Sequence, residues 1–172
     1  MLGGASGEFE ALRSLEGRLR MQKKFGELED VLTKEAAAAP DRDLKMEVLL
    51  RHAELLEKQL VKPRAAIEKY VTVIKLQSTN EPALDGVQRC LVALRAWDDL
   101  GEALEERLRV TAKASGKSKI LLELAEVHES KRSDVAAATE ALLRAEKIDR
   151  KNKRVLYELA RLSEKKGDFP GA

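Results

Sequence analysis

Residues 12–36, LRSLEGRLRMQKKFGELEDVLTKEA, fall over residues 84–108, LDGVQRCLVALRAWDDLGEALEERL, when the chain is shifted by about 72 positions. Leu12 then meets Leu84, Leu15 meets Val87, and Leu19 meets Leu91. Phe25 meets Trp97, Leu28 meets Leu100, Leu32 meets Leu104 and Ala36 meets Leu108. The apolar types change while their positions hold, which marks a structural repeat. The stretch that follows obeys the same shift. Ala53-Glu54 falls on Ala125-Glu126, Ala66 on Ala138, Tyr70 on Leu142, Val73 on Ala145 and Leu76 on Ile148.

Each long unit divides again into two helical hairpins, spaced by about 34 residues. Ala66, Leu100, Ala138 and Ala172 open the second helix of successive hairpins. The spacing alternates, which predicts extra loop residues near Asp41–Asp43 and Ala114–Ser118. The 3.6-residue apolar period predicts helices over 8–23, 25–38, 44–60, 63–77, 82–95, 97–113, 118–131, 134–148 and 152–166. A tenth is expected to begin near Phe169. Pro40 stops the second helix, while Pro63 and Pro82 sit at helix starts, where a missing N–H is harmless. Asp134 and Asp168 suit N-caps, and Ser78-Thr79-Asn80 reads as a turn. No segment alternates as a strand does.

The last unit carries a family signature. Val155-Leu156-Tyr157-Glu158-Leu159-Ala160 is followed by Gly167-Asp168-Phe169 and then Ala172. A Leu-small pair, a Gly-Asp-aromatic turn and an Ala opening the second helix resemble the tetratricopeptide repeat. Leu124-Ala125 repeats the pair, His52-Ala53 keeps only its small member, and Pro40 stands where the family's repeat-ending proline belongs. The resemblance covers about residues 9–172. It departs at Glu16 and Gln88, which replace the small residue, and in the turns before Ala66 and Ala138, which read one residue longer.

The expected fold is therefore all-α, a right-handed α-solenoid of stacked antiparallel hairpins, with about four full repeats and a truncated fifth over 9–172. Residues 1–8 are expected to be disordered. Each hairpin has apolar residues on more than one face, so only stacking buries them. The sequence stops where a tenth helix should begin, which suggests a piece of a longer repeat protein, or an apolar end face that pairs with another copy.

Composition narrows the function. Charged residues make up 36% and nearly cancel, for a net charge of +2, so no dominant basic field favours nucleic acid. Aromatics are only 3%. The one cysteine, Cys90, excludes an internal disulfide and a multi-cysteine zinc site, and reads as a small apolar helix residue. No stretch approaches about 18 consecutive apolar residues, and the start lacks a signal peptide, so a cytoplasmic setting is expected.

Nothing reads as catalytic machinery, and no cofactor or metal is expected. Gly116-Lys117-Ser118 lacks the upstream glycine of a phosphate loop, because Thr111 stands there, and reads as a solvated loop. Gly3, Gly4 and Gly7 follow no strand and read as a fraying terminus. His52 and His128 are too far apart for a zinc-protease pair. Phe25, Trp97 and Tyr70 read as core or turn packing.

By the resemblance, partners bind on the face lined by the first helix of each hairpin. The Lys and Asn residues with which some members clamp a C-terminal carboxylate do not occur here as a set. On the last full helix, Arg154, Tyr157, Arg161 and Lys165 recur at steps of three and four and share one face. Such a face suits an acidic or phosphorylated peptide, and Arg89 and Lys131 extend it. The bland reading, a solvated charged face interrupted by Glu158 and Glu164, weighs more. The expected function is a scaffold or adaptor that binds a protein or peptide. A self-assembling structural module and an RNA-binding repeat are the rivals.

Overall fold

A computed structural model of the chain describes the backbone of residues 3–165 and the side chains of residues 7–165. These residues form nine helices and no strand: α1 (Gly3–Met21), α2 (Phe25–Ala38), α3 (Arg42–Lys58), α4 (Pro63–Leu76), α5 (Glu81–Leu94), α6 (Trp97–Val110), α7 (Ala114–Arg132), α8 (Val135–Ile148) and α9 (Lys153–Lys165). The Gly167-Asp168-Phe169 turn, the Asp168 cap, Ala172 and the tenth helix lie outside the described residues.

The ends follow the punctuation closely. Asp41 accepts from the Leu44 amide at 2.8 Å, Asn80 from the Ala83 amide at 3.1 Å and Asp134 from the Ala137 amide at 2.9 Å. Each satisfies an amide that the first helical turn leaves without a partner. Pro63 opens α4.

Two expectations need correction. α1 starts at Gly3 rather than at residue 8, so Gly3, Gly4 and Gly7 belong to a helix. α7 starts at Ala114, so Gly116-Lys117-Ser118 lies in its first turns and not in a loop. Ser118 is fully buried and its hydroxyl accepts from Asn152 Nδ2 at 3.0 Å, which a solvated loop would not provide. The alternating spacing therefore comes from helix length and not from loops. α3 and α7 run 17 and 19 residues, against 14 in α5.

The hairpin turns repeat with the same register as the core. Lys23, Val61, Arg95 and Ser133 all adopt left-handed φ values between 52° and 56°. Lys23 and Arg95 are related by the long shift, as are Val61 and Ser133. The Lys62 amide donates to the Leu56 carbonyl and the Asp134 amide to the His128 carbonyl, both at 2.8 Å, closing the two equivalent turns.

The chain divides into two compact units between α5 and α6. In the first, α2 packs on α1 and α3, α4 packs on α3 and α5, and Leu28, Leu32, Leu56 and Tyr70 are core. In the second, α7 packs on α6 and α8, α8 packs on α9, and Leu104, Leu121, Leu124, Leu142 and Leu162 are core. Leu28 and Leu100, Leu32 and Leu104, Ala53 and Ala125, Ala66 and Ala138, and Tyr70 and Leu142 are buried at both ends of the shift. Glu54 and Glu126 are exposed at both.

His52 breaks the pattern. The shift sets it against Leu124, and it is 2% exposed with neither ring nitrogen hydrogen-bonded. Burial, then the charge of Lys69, holds its pKa below the usual value. The unfolded chain thus takes up a proton that the folded one refuses, so stability is complete above the ordinary value near about 6.5 and falls as pH drops below it. His52→Leu is expected to raise the unfolding free energy by about 1–2 kcal/mol, removing two unsatisfied polar atoms. It should also flatten the loss of urea midpoint between pH 7.5 and pH 5. A variant as acid-sensitive as the parent would rule His52 out as the source.

Candidate functional site

α9 turns Val155 and Leu162 into the core, both fully buried, which leaves Arg154, Tyr157, Arg161 and Lys165 on another face. The guanidinium of Arg161 reaches α7 and grips Glu129 with both terminal nitrogens, Nη1 to Oε1 at 2.9 Å and Nη2 to Oε2. Its Nε donates to Glu158 Oε2 at 2.8 Å. Lys165 Nζ adds a third donor to Glu129, 3.0 Å from Oε1. The hydrogen bonds from Arg161, against the opposing effect of burial, and then those from Lys165 hold the Glu129 carboxyl down to about 2.

These pairs change the electrostatics expected of the helix. Arg161 and Lys165, two of the three cations expected on this face, are spent on Glu129, so the face is not a free basic patch. Arg154 has no ion-pair partner among the described residues, and Tyr157 is 66% exposed beside it. An open recess of about 290 Å³ lies between α7 and α9. Ala125, Leu142 and Leu162 give it apolar walls, while Arg154, Glu129 and Arg161 give it charge.

The other two expected residues lie elsewhere. Lys131 sits with its Nζ 5.4 Å from the centroid of the Trp97 ring, beside the ion pair between Arg132 and Asp98, and so belongs to the start of α6. Arg89 lies in the first unit. Its Nε and Nη2 donate to Glu57 at 2.7 and 3.0 Å, and Tyr70 Oη donates to the same carboxylate at 2.7 Å. Burial opposes ionisation of Glu57, yet the hydrogen bonds from Arg89 and Tyr70 outweigh it and keep the carboxyl below its usual range. Burial, and then the hydrogen bond that the phenol donates to Glu57, raises the Tyr70 pKa.

Glu57 and Glu129 are the residues that the apolar comparison passes over. They stand 72 positions apart, as do Arg89 and Arg161. Each pair joins the first helix of one hairpin to the first helix of the next, at a spacing of 32 residues. Extending the shift to charged positions brings out both. Among the described residues no cluster of three or more metal-ligating side chains occurs, and no helix is long and apolar enough to cross a membrane. Cys90 is buried, and that burial pushes its thiol up to about 11.

No protein-family model matches the sequence, and no curated protein matches it. Solved structures do. A tetratricopeptide repeat protein from Parabacteroides merdae superposes with a TM-score of 0.63 at 14% identity, over 94% of this chain and 61% of that one. MamA from Desulfovibrio magneticus superposes with a TM-score of 0.57 at 16% identity, over 98% of this chain and 89% of that one. The fold is that of a tetratricopeptide-repeat protein. YrrB, described as a tetratricopeptide-repeat protein with an unusual peptide-binding site, is a third such structure: TM-score 0.54, 15% identity, 87% of this chain and 73% of that one. In tetratricopeptide terms, Glu57–Arg89 in the first unit and Glu129–Arg161 in the second each tie one first helix to the next, and the recess lies between α7 and α9.

Proposed function

We propose that this tetratricopeptide-repeat chain is a non-catalytic scaffold that binds a protein or peptide segment along the α7–α9 face. The observation that carries the reading is the recess itself. It is open, is lined by leucines and an alanine as well as by charged groups, and includes Arg154, which has no carboxylate partner among the described residues and lies one helical turn from the exposed Tyr157. Convergent charged groups beside leucine side chains in an open recess suit the anchoring of a side chain. Because Glu126, Glu129 and Glu158 line it with the two arginines, the partner segment is not chosen by negative charge alone. A cytoplasmic setting belongs to the same proposal and is supported by a lone, buried thiol; recovery of the tagged chain from an oxidising compartment would refute it.

The test is selection of peptides from a random display library on the immobilised chain. Arg161 and Lys165 are poor targets for mutation, because reversing their charge would strand Glu129 and disturb the α7–α9 contact. Arg154→Glu with Tyr157→Ala leaves that tie intact. Selected peptides are expected to lose at least about tenfold in affinity for this double variant, the loss of about 1.4 kcal/mol. Failure to enrich any peptide, or equal binding by the variant, would overturn the reading.

A further inference from the structure

The internal repeat supplies a template for what fills the recess. Shifted back by 72 positions, Ala125, Glu129, Leu142, Glu158, Arg161 and Leu162 become Ala53, Glu57, Tyr70, Gly86, Arg89 and Cys90. In the first unit the phenol ring of Tyr70 occupies this place. It lies against Gly86, so close that a Cβ there would meet ring carbons at 2.3–2.6 Å, and its hydroxyl donates to Glu57 Oε2. In the second unit Leu142 is shorter and Glu158 replaces the glycine, and the open recess that both residues line lies beside the equivalent place.

We propose that the α7–α9 recess takes a tyrosine side chain of the partner, which supplies there what Tyr70 supplies inside the first unit. The proposal rests on the scaffold reading above and names the chemistry that the scaffold selects. Glu57 Oε2 accepts two donors, Arg89 Nη2 and Tyr70 Oη. Among the described residues Glu129 Oε2 accepts only Arg161 Nη2, and Lys165 bonds the other oxygen. A carboxylate offers about four lone-pair sites, so one is open toward an incoming hydroxyl. Leu122 provides apolar contact for the ring with Leu142 and Leu162 behind it, and Arg154 at the rim can flank its face.

Glu158 sets the direction of entry. It stands where Gly86 stands, and its Cβ takes the space into which the Tyr70 ring presses. A ring tethered at position 142 would collide with it, whereas a ring arriving from the open side can sit further out. The three carboxylates of the recess also select against a phosphorylated tyrosine, since they oppose a dianion at close range.

The probe is 4-methylphenol, the tyrosine side chain alone, titrated into the methyl-labelled full chain and followed by NMR beside toluene. Saturable shifts are expected at the methyl groups of Leu122, Leu142 and Leu162, with toluene weaker by about tenfold for want of the hydroxyl bond to a charged acceptor. The variant Leu142→Tyr with Glu158→Gly rebuilds the Tyr70–Gly86 arrangement inside the recess. It is expected to melt no lower than the parent and to lose the 4-methylphenol shifts. Should the double variant fail to fold, Leu142→Phe fills the space with a smaller change and is read in the same way. Equal affinity for toluene and 4-methylphenol, or shifts that survive in the filled variants, would overturn the proposal. If display-selected peptides bind parent and filled variant alike, the recess proposal falls while the scaffold stands. If no peptide is selected but 4-methylphenol behaves as expected, the scaffold reading falls and the pocket chemistry remains.

Discussion

Gly86→Ala is expected to destabilise the chain by about 3 kcal/mol, the upper end of the cost of overpacking a filled core. An alanine in an exposed helix interior would instead add about 1 kcal/mol of stability, so the sign of the result decides between the two effects. Steric conflict wins because the added Cβ would lie 2.3, 2.4 and 2.6 Å from Cζ, Cε2 and Cε1 of Tyr70. The ring has no room to retreat. Tyr70 is 1% exposed and its hydroxyl is tied to Glu57, which Arg89 holds in turn. Tyr70→Leu should relieve the conflict, reproducing the Leu142 and non-glycine pairing of the second unit. The double variant Tyr70→Leu/Gly86→Ala is therefore expected to be more stable than the two single losses predict, with a coupling of at least about 1.5 kcal/mol. Urea denaturation of the four proteins measures it. A Gly86→Ala protein as stable as the parent would show that the helices shift apart at little cost.

Arg51→Met has an equally large expected effect for an electrostatic reason. The Arg51 guanidinium ties three carboxylates from three helices: Glu35 on α2 at 2.7 Å, Glu16 on α1 at 3.1 Å and Glu47 on its own helix at 2.6 Å. Glu35 is fully buried and Glu16 is 6% exposed, so neither can turn to water when the cation is removed. Breaking a buried charged network from one side costs about 3–5 kcal/mol. Its pH dependence identifies the cause. Burial already raises the Glu35 pKa, with Arg51 opposing that rise and Glu16 adding to it. Without Arg51 the folded pKa climbs further above the unfolded value near about 4.3. A carboxyl raised on folding loses stability as pH rises through that window and regains it on acidification. The deficit of Arg51→Met relative to the parent is therefore expected to be largest at pH 7 and to shrink toward pH 5. Adding Glu16→Gln and Glu35→Gln should recover much of it at neutral pH. A deficit independent of pH would assign the loss to packing of the arginine stem instead.

The two variants probe different kinds of information in the chain. The glycine clash follows from the exact approach of α4 to α5, and no pattern of apolar spacing states how close two helices come. The charged network depends on which carboxylates meet one guanidinium across 35 and 16 positions of sequence. Glu16 is legible as a departure from the family pattern, but whether it loosens the helix or meets a cation is settled by its neighbours in space.

By itself, the sequence determined the helical class, the long repeat, most helix limits and the buried set that recurs at Leu28 and Leu100, Leu32 and Leu104, or Ala53 and Ala125. Those follow from local periodicity and from caps such as Asp41 and Asp134, which act within one turn. The tertiary structure alone decided that α7 begins at Ala114, because Ser118 is held by an asparagine 34 residues away. It alone turned Arg161 and Lys165 from candidate ligand groups into partners of Glu129, and placed the recess between α7 and α9. Charge and volume at one position take their meaning from residues a whole repeat distant, and the fold is what brings those residues into contact.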